Sequence, residues 1–243
     1  MNPKQILNQT KHRPFECPTR PWMFYQEWNK AVFLHWEVDV NIIEALLPRG
    51  LKVDTINGKS WMSLVAFDMN NIKARYFPKL PRISDFQEIN IRTYVICNGK
   101  PSVYFFSMEA NNKVSCKLLE KVSKFPYRYS KMNRSNDSYQ SNNVNLKESF
   151  AIDYELDDKP VSKDETDLWL TERYAVFQDY GNTMIEYDVH HLEWPMQNIT
   201  CKAIEVNYSR FGAFINDKPD RIHYSRGVQV LTWNKRKHQI KTT

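Results

Sequence analysis

Glu88, Asn90 and Arg92 alternate within an apolar-rich stretch at 86–97, so an extended chain presents all three on one face. A carboxylate, an amide and a guanidinium in a row can hold a polar or carboxylate-bearing small molecule through paired hydrogen bonds. The rival reading is a buried Glu88–Arg92 ion pair that orders the interior and binds nothing. Desolvation offsets most of the attraction in such a pair, so stability alone is a weak reason for one. The segment Thr171-Glu172-Arg173-Tyr174, taken as strand, puts Arg173 on one face and Glu172 with Tyr174 on the other. Either set can face a cavity, and a cross-strand surface pair explains the segment equally well. His35 also lies in a strand-like run, where a histidine serves either as a general base or as a packed, hydrogen-bonded core residue.

Other chemistries find less support. His190 and His191 are adjacent and point to opposite faces of a strand, while His191 with Glu193 supplies two legs of a metal site and the sequence offers no third. No metal is therefore expected. A glycine-rich phosphate loop, a dinucleotide fingerprint and a Gly-x-Ser-x-Gly elbow are all missing, so neither a nucleotide cofactor nor hydrolase chemistry is expected. Cys17, Cys97, Cys116 and Cys201 stand far apart without a Cys-x-x-Cys pair and read as reduced thiols. The net charge of +6 is densest at Lys235-Arg236-Lys237-His238. Elsewhere basic residues are mixed with acids, which argues against nucleic acid as a partner.

The elements that must position these side chains are short. An irregular, aromatic-rich arm is expected over 1–30, with Pro14, Pro18 and Pro21 ahead of Trp22, Phe24, Tyr25 and Trp28. A strand over 31–38 leads to a helix over 40–47, capped by Asp39 and stopped by Pro48. Asn57-Gly58 predicts a hairpin joining strands 51–56 and 61–69, and Asn98-Gly99 predicts a second joining 86–97 to 101–109. Val114, Leu118, Leu119 and Val122 give 113–124 a helical period and a face to bury, and Pro126 ends that helix. Strands follow near 128–133, 138–143 and 150–155, with 135–145 polar enough to be mobile. Residues 157–167 are acidic, a helix start or an exposed loop, ahead of strands at 168–179, 184–192, 202–206 and 228–233.

About ten short strands, two or three short helices and no internal repeat predict one mainly β domain over 1–243. Its body is a closed or nearly closed antiparallel barrel over 31–234, followed by a solvated basic tail at 235–243. A chain of 243 residues that is 42% hydrophobic and 14% aromatic can fill such a core. No run of about 18 apolar residues and no leader-like start is present, so a cytoplasmic protein without membrane contact is expected.

Six separated segments carry a resemblance. They are His35-Trp36 leading to Leu47-Pro48, then Phe86-Gln87-Glu88-Ile89-Asn90-Ile91-Arg92-Thr93-Tyr94-Val95, then Tyr104-Phe105-Phe106-Ser107-Met108-Glu109-Ala110. Phe125-Pro126-Tyr127, Thr171-Glu172-Arg173-Tyr174 and Val189-His190-His191 with Trp194-Pro195 continue in order. Over about 22–233 the chain resembles the YqjF-like family of uncharacterised bacterial proteins, within the acetoacetate decarboxylase-like superfamily. The resemblance implies a barrel of that type and matches Glu88 to a superfamily glutamate facing the cavity, which turns Asn90 and Arg92 inward as well. In the superfamily's decarboxylases a helix runs into a Pro-Lys-Lys element whose first lysine forms a Schiff base. Here the element reads Phe125-Pro126-Tyr127-Arg128, and neither a phenol nor a guanidinium can form an imine. Lys124 and Lys131 are offset by several ångströms or to another face.

The resemblance thus implies a cavity without Schiff-base decarboxylation, in which Tyr127 and Arg128 occupy the reactive element. The expected function is binding of a small organic acid or carbonyl compound. Arg92 is the anion anchor, and Asn90, Arg128, Tyr174, Arg173 and His35 are further ligand-binding candidates. The alternative is an enzyme that moves a proton next to a carbonyl with Glu88 as base and Tyr127 as acid. A structural or interaction role is the third reading, and self-association into a homo-oligomer is compatible with all three.

Overall fold

The computed structural model describes residues 2–239. In chain order the elements are α1 (Pro3–Leu7), β1 (Phe24–Val38), α2 (Val40–Leu46), β2 (Lys52–Val53), β3 (Ser60–Ala74), β4 (Phe86–Cys97), β5 (Lys100–Ala110), α3 (Lys113–Ser123) and β6 (Tyr127–Tyr129). The second half holds β7 (Lys131–Arg134), β8 (Ser138–Asn143), β9 (Glu148–Pro160), α4 (Glu165–Thr171), β10 (Ala175–Tyr180), β11 (Thr183–His190), β12 (Met196–Asn207), β13 (Arg221–Thr232) and β14 (Arg236–Gln239).

Seven strands form a nearly closed ring in the order β11-β10-β5-β4-β3-β1-β13, with β13 returning to β11. Most walls are long antiparallel ladders, and β1 holds β13 on one edge and β3 on the other. Two seams are short. β10 meets β5 in parallel at Val176 and Val103, and the ring returns to β11 through Val189–Thr232 and His190–Leu231. From β13 the strand order continues through β12, β9, β8 and β7 as a second sheet, which pairs with the ring at Met196–Ser225 and Gln197–Tyr224.

The second sheet explains why the ring strands read as continuous apolar runs rather than alternating ones. Phe33, Val65 and Phe105 pack in one core with Tyr94 and Trp194. Their neighbours in sequence, such as Val32, Leu34, Leu64 and Ile91, belong to a second core with Tyr139, Phe150 and Ile152 of β8 and β9. The first core is the ring interior, and it positions the site. A third, smaller cluster ties Ile6 of α1 to Tyr25, Leu231 and Trp233, so the N-terminal arm is docked on the ring and β1 begins at Phe24 rather than after residue 30.

Several local expectations change for identifiable reasons. Asn57 and Gly58 make their turn with φ of 52° and 75°, yet only Ile56 and Lys59 bridge across it. Both edges of β3 are occupied by β1 and β4, so β2 pairs instead with Val95 and Ile96 of β4. Helix α3 forms as expected, but its buried face carries Ser115 and Cys116, and Val114, Leu118 and Val122 are exposed. Residues 168–171, expected as strand, belong to helix α4, whose start is fixed because Asp164 accepts from the Asp167 amide at 2.7 Å while the Asp167 side chain takes the Asp164 amide at 3.1 Å. Residues 138–143 form strand β8, as expected. Within the basic tail, β14 pairs with Thr183–Glu186 of β11, and Arg236 and His238 reach the Glu186 carboxylate at 2.5 and 2.7 Å. Residues 240–243 of that tail lie outside the described residues. Among the described residues no helix is long and apolar enough to cross a membrane.

Candidate functional site

Strand β4 enters the ring at Phe86 and runs inward, and its alternate residues Glu88, Asn90 and Arg92 line one interior cavity of about 170 Å³. Around them the wall is mostly apolar and aromatic, with Trp28, Phe33, Phe67, Phe105 and Trp194 prominent. Antiparallel register sets this neighbourhood, since Phe67 pairs with Glu88 and Val65 with Asn90 across β3–β4. Leu119, Val122 and Ser123 of α3, together with Phe125 and Ile72, are partly or fully exposed lining residues and mark the mouth. No lysine is among the described residues of this wall. The Lys124 ammonium packs over the Tyr180 ring at 4.8 Å, and Lys131 is exposed.

Tyr127 reaches the cavity because α3 ends on Lys124 with φ 63°, after which Pro126 starts an extended run and β6 pairs in parallel with β5. The phenol donates to Glu88 Oε2 at 2.7 Å, and both side chains are buried. Burial pushes the Glu88 carboxyl from its ordinary value of 4.5 up to about 8, against the hydrogen bonds from Tyr127 and Asn90. Burial, followed by the nearby carboxyl, also moves Tyr127 well above the usual phenol value. At neutral pH the pair is a protonated acid beside a protonated phenol.

Among the described residues Arg92 meets no carboxylate. Its Nη2 donates to the Leu170 carbonyl at 3.4 Å, its guanidinium stands 5.9 Å from the ring centroids of Phe33 and Tyr94, and Nε has no partner. The alternative of a Glu88–Arg92 ion pair is not realised, because residues four apart on a strand are separated by roughly 13 Å along it. Asn90, 4% exposed, stands between them with an unpartnered Oδ1.

Glu88, Asn90, Arg92 and Tyr127 are therefore brought together, and the remaining candidates lie elsewhere. Arg128 alternates to the other face of β6 from Tyr127 and donates to Ser107 Oγ at 3.4 Å. Arg173 and Tyr174 fall in the link between α4 and β10, so the strand-face choice does not arise. Arg173 pairs with Asp54 at 2.6 Å, and Tyr174 donates to Glu172 Oε2 at 2.6 Å. His35 lies in the core, where Nδ1 meets Ser63 Oγ at 2.6 Å, Ser63 meets the Tyr94 hydroxyl at 2.7 Å, and Tyr94 donates to the Leu170 carbonyl at 2.8 Å. Direction along this chain requires a proton on Nδ1. Burial, aided by His223 and Arg92, holds the His35 pKa well below the ordinary imidazole value, so the ring is neutral. His190 Nε2 is satisfied by the Ile6 carbonyl, and His191 Nδ1 meets the Leu192 carbonyl. No group of three or more His, Cys, Asp or Glu positioned to hold a metal occurs among the described residues.

A family profile described as "Uncharacterized conserved protein (COG2071)", DUF2071, matches residues 25–229. The chain belongs to the DUF2071 family. Uncharacterized protein YqjF of Bacillus subtilis (strain 168) is 37% identical over 240 residues, covering 96% of this chain and 99% of that protein. Among solved structures, the acetoacetate decarboxylase of Legionella pneumophila is similar with a TM-score of 0.62 at 14% identity, covering 96% of this chain and 94% of that one. An acetoacetate decarboxylase-like enzyme from Sphingomonas wittichii RW1 gives 0.61 at 12% identity, covering 94% and 98%. At such identities the likeness establishes the fold, and this DUF2071 chain has the acetoacetate decarboxylase-like fold.

Proposed function

We propose that the protein binds a small organic acid or carbonyl compound in the ring cavity, with Arg92 holding its anionic end. The observation that carries this reading is a buried guanidinium without a carboxylate partner on a largely apolar wall. A charge taken out of water costs several kcal/mol unless paired, and a ligand carboxylate supplies the missing countercharge through a charge-assisted hydrogen bond to Nε. The acetoacetate decarboxylase of similar fold is named for an oxo acid, which agrees with the class. The test is thermal unfolding against a panel of small carboxylates, in the wild type and in Arg92→Met, which keeps apolar bulk and drops the charge. Ligands raise the wild-type midpoint in proportion to ln(1 + [L]/Kd) and leave the variant unmoved. Equal stabilisation of both proteins defeats the proposal.

The Glu88–Tyr127 contact favours a second reading, proton transfer next to a ligand carbonyl. A carboxyl raised to about 8 is ionised in a minor fraction near neutral pH, and in that form it is basic enough to take a carbon-bound proton, with the Tyr127 phenol beside it. Deuterium exchange at the carbon beside the carbonyl of a bound oxo acid, lost in Glu88→Gln, is the expected signature. Ligand binding without exchange leaves the binding reading alone standing.

A further inference from the structure

Resting on the anion-binding reading of Arg92, we infer that the cavity selects acids carrying a second polar group. That group is a hydroxyl or N–H donor, held apart from the carboxylate by an apolar spacer. The observation is the Oδ1 of Asn90, without a partner among the described residues, in a side chain 4% exposed that lines the same cavity as Arg92, whose Nε also lacks one. No donor among the described residues reaches that oxygen. Buried acceptors are almost always satisfied, and an orphan inside a ligand cavity marks where a donor belongs.

Geometry sets the spacing. Asn90 and Arg92 are two residues apart on one strand face, roughly 6.7 Å between Cα atoms. The Arg92 guanidinium lies by the Leu170 carbonyl and the rings of Phe33 and Tyr94. A 2-hydroxy acid, whose hydroxyl adjoins the carboxylate, cannot span that interval. Beside the two polar points the wall is apolar, with Val65 across from Asn90 and Phe105 across from Arg92. A cavity of about 170 Å³ is comparable with the ~150 Å³ that admits benzene. One aromatic ring or a chain of similar length, with carboxylate at the deep end and donor beside Asn90, fills the space.

The test uses three probes of one skeleton: phenylacetate, 4-hydroxyphenylacetate and 4-methylphenylacetate, titrated calorimetrically. Wild type is expected to bind the hydroxy acid about tenfold or more tightly than the other two, because only it satisfies the buried acceptor. The methyl analogue separates the hydroxyl from added bulk. In Asn90→Leu the advantage of the hydroxy acid over its methyl analogue disappears. Equal affinity of wild type for all three overturns this inference and leaves the Arg92 anchor intact, whereas no binding of any of them at millimolar concentration overturns both. The wild-type comparison decides the matter even if the variant does not fold.

Discussion

Replacing Glu88 with glutamine should change how stability depends on pH, in a direction opposite to that of an ordinary carboxylate. Glu88 is 2% exposed, and its burial raises the folded-state pKa from 4.5 to about 8. Between those values the unfolded chain releases a proton that the folded chain keeps. Stability therefore falls as pH rises through that window, and this group contributes no slope below or above it. Each pH unit inside the window costs ~1.4 kcal/mol, so the full penalty is about 5 kcal/mol and the part between pH 5 and 8 about 3.5 kcal/mol. Glutamine has no proton to lose, and its carbonyl oxygen keeps an acceptor for the Tyr127 hydroxyl. Urea unfolding of both proteins at pH 5, 6, 7 and 8 should show Glu88→Gln gaining about 3.5 kcal/mol on the wild type across the series. Parallel profiles, with the difference constant to within about 1 kcal/mol, would refute a neutral buried carboxyl at this position.

Tyr127→Phe removes a hydrogen bond that lowers Glu88, so the alkaline edge of the wild-type stability decline should move above pH 8, at a cost of about 1–2 kcal/mol measured by urea unfolding at pH 6. Arg173→Met leaves Asp54 buried without its partner at 2.6 Å and should cost about 3–5 kcal/mol; a loss under 1 kcal/mol contradicts a structural role for that pair. Gly227→Ala should lower the thermal midpoint sharply, by about 2 kcal/mol or more in stability, because φ is +135° and a Cβ would strike the Trp28 carbonyl and sit 2.8 Å from Asn29 Cα. Trp28 lines the cavity, so the same variant, where folded, should bind carboxylates more weakly.

What the sequence reveals here is local. Glu88, Asn90 and Arg92 share a face because strand alternation needs only one element, and Asn98-Gly99 specifies the β4–β5 turn by its own backbone chemistry. Pairing that depends on distant partners is not legible in this way. Lys52 and Val53 join β4 because β1 and β4 already occupy the edges of β3, and no residue near the Asn57-Gly58 turn records that. Arg236 and His238 read as tail charges until Glu186, some fifty positions earlier, is seen beside them. The aromatic wall around the polar row escapes for the same reason, since Trp28 and Phe67 enter through register and Trp194 through the link between β11 and β12. Arg173 was within reach, because Asp164-x-x-Asp167 is a capping pattern that ends a strand reading and starts a helix. The Asp54 partner, 119 positions away, was not.

The account rests on an unpaired guanidinium inside the ring, and a crystal structure grown with a small carboxylate, such as phenylacetate, tests it most directly. The prediction is a carboxylate oxygen within hydrogen-bond distance of Arg92 Nε and the ligand body against Phe33, Phe105 and Trp194. A carboxylate bound elsewhere with the cavity empty, or Arg92 turned out of the ring, would contradict it.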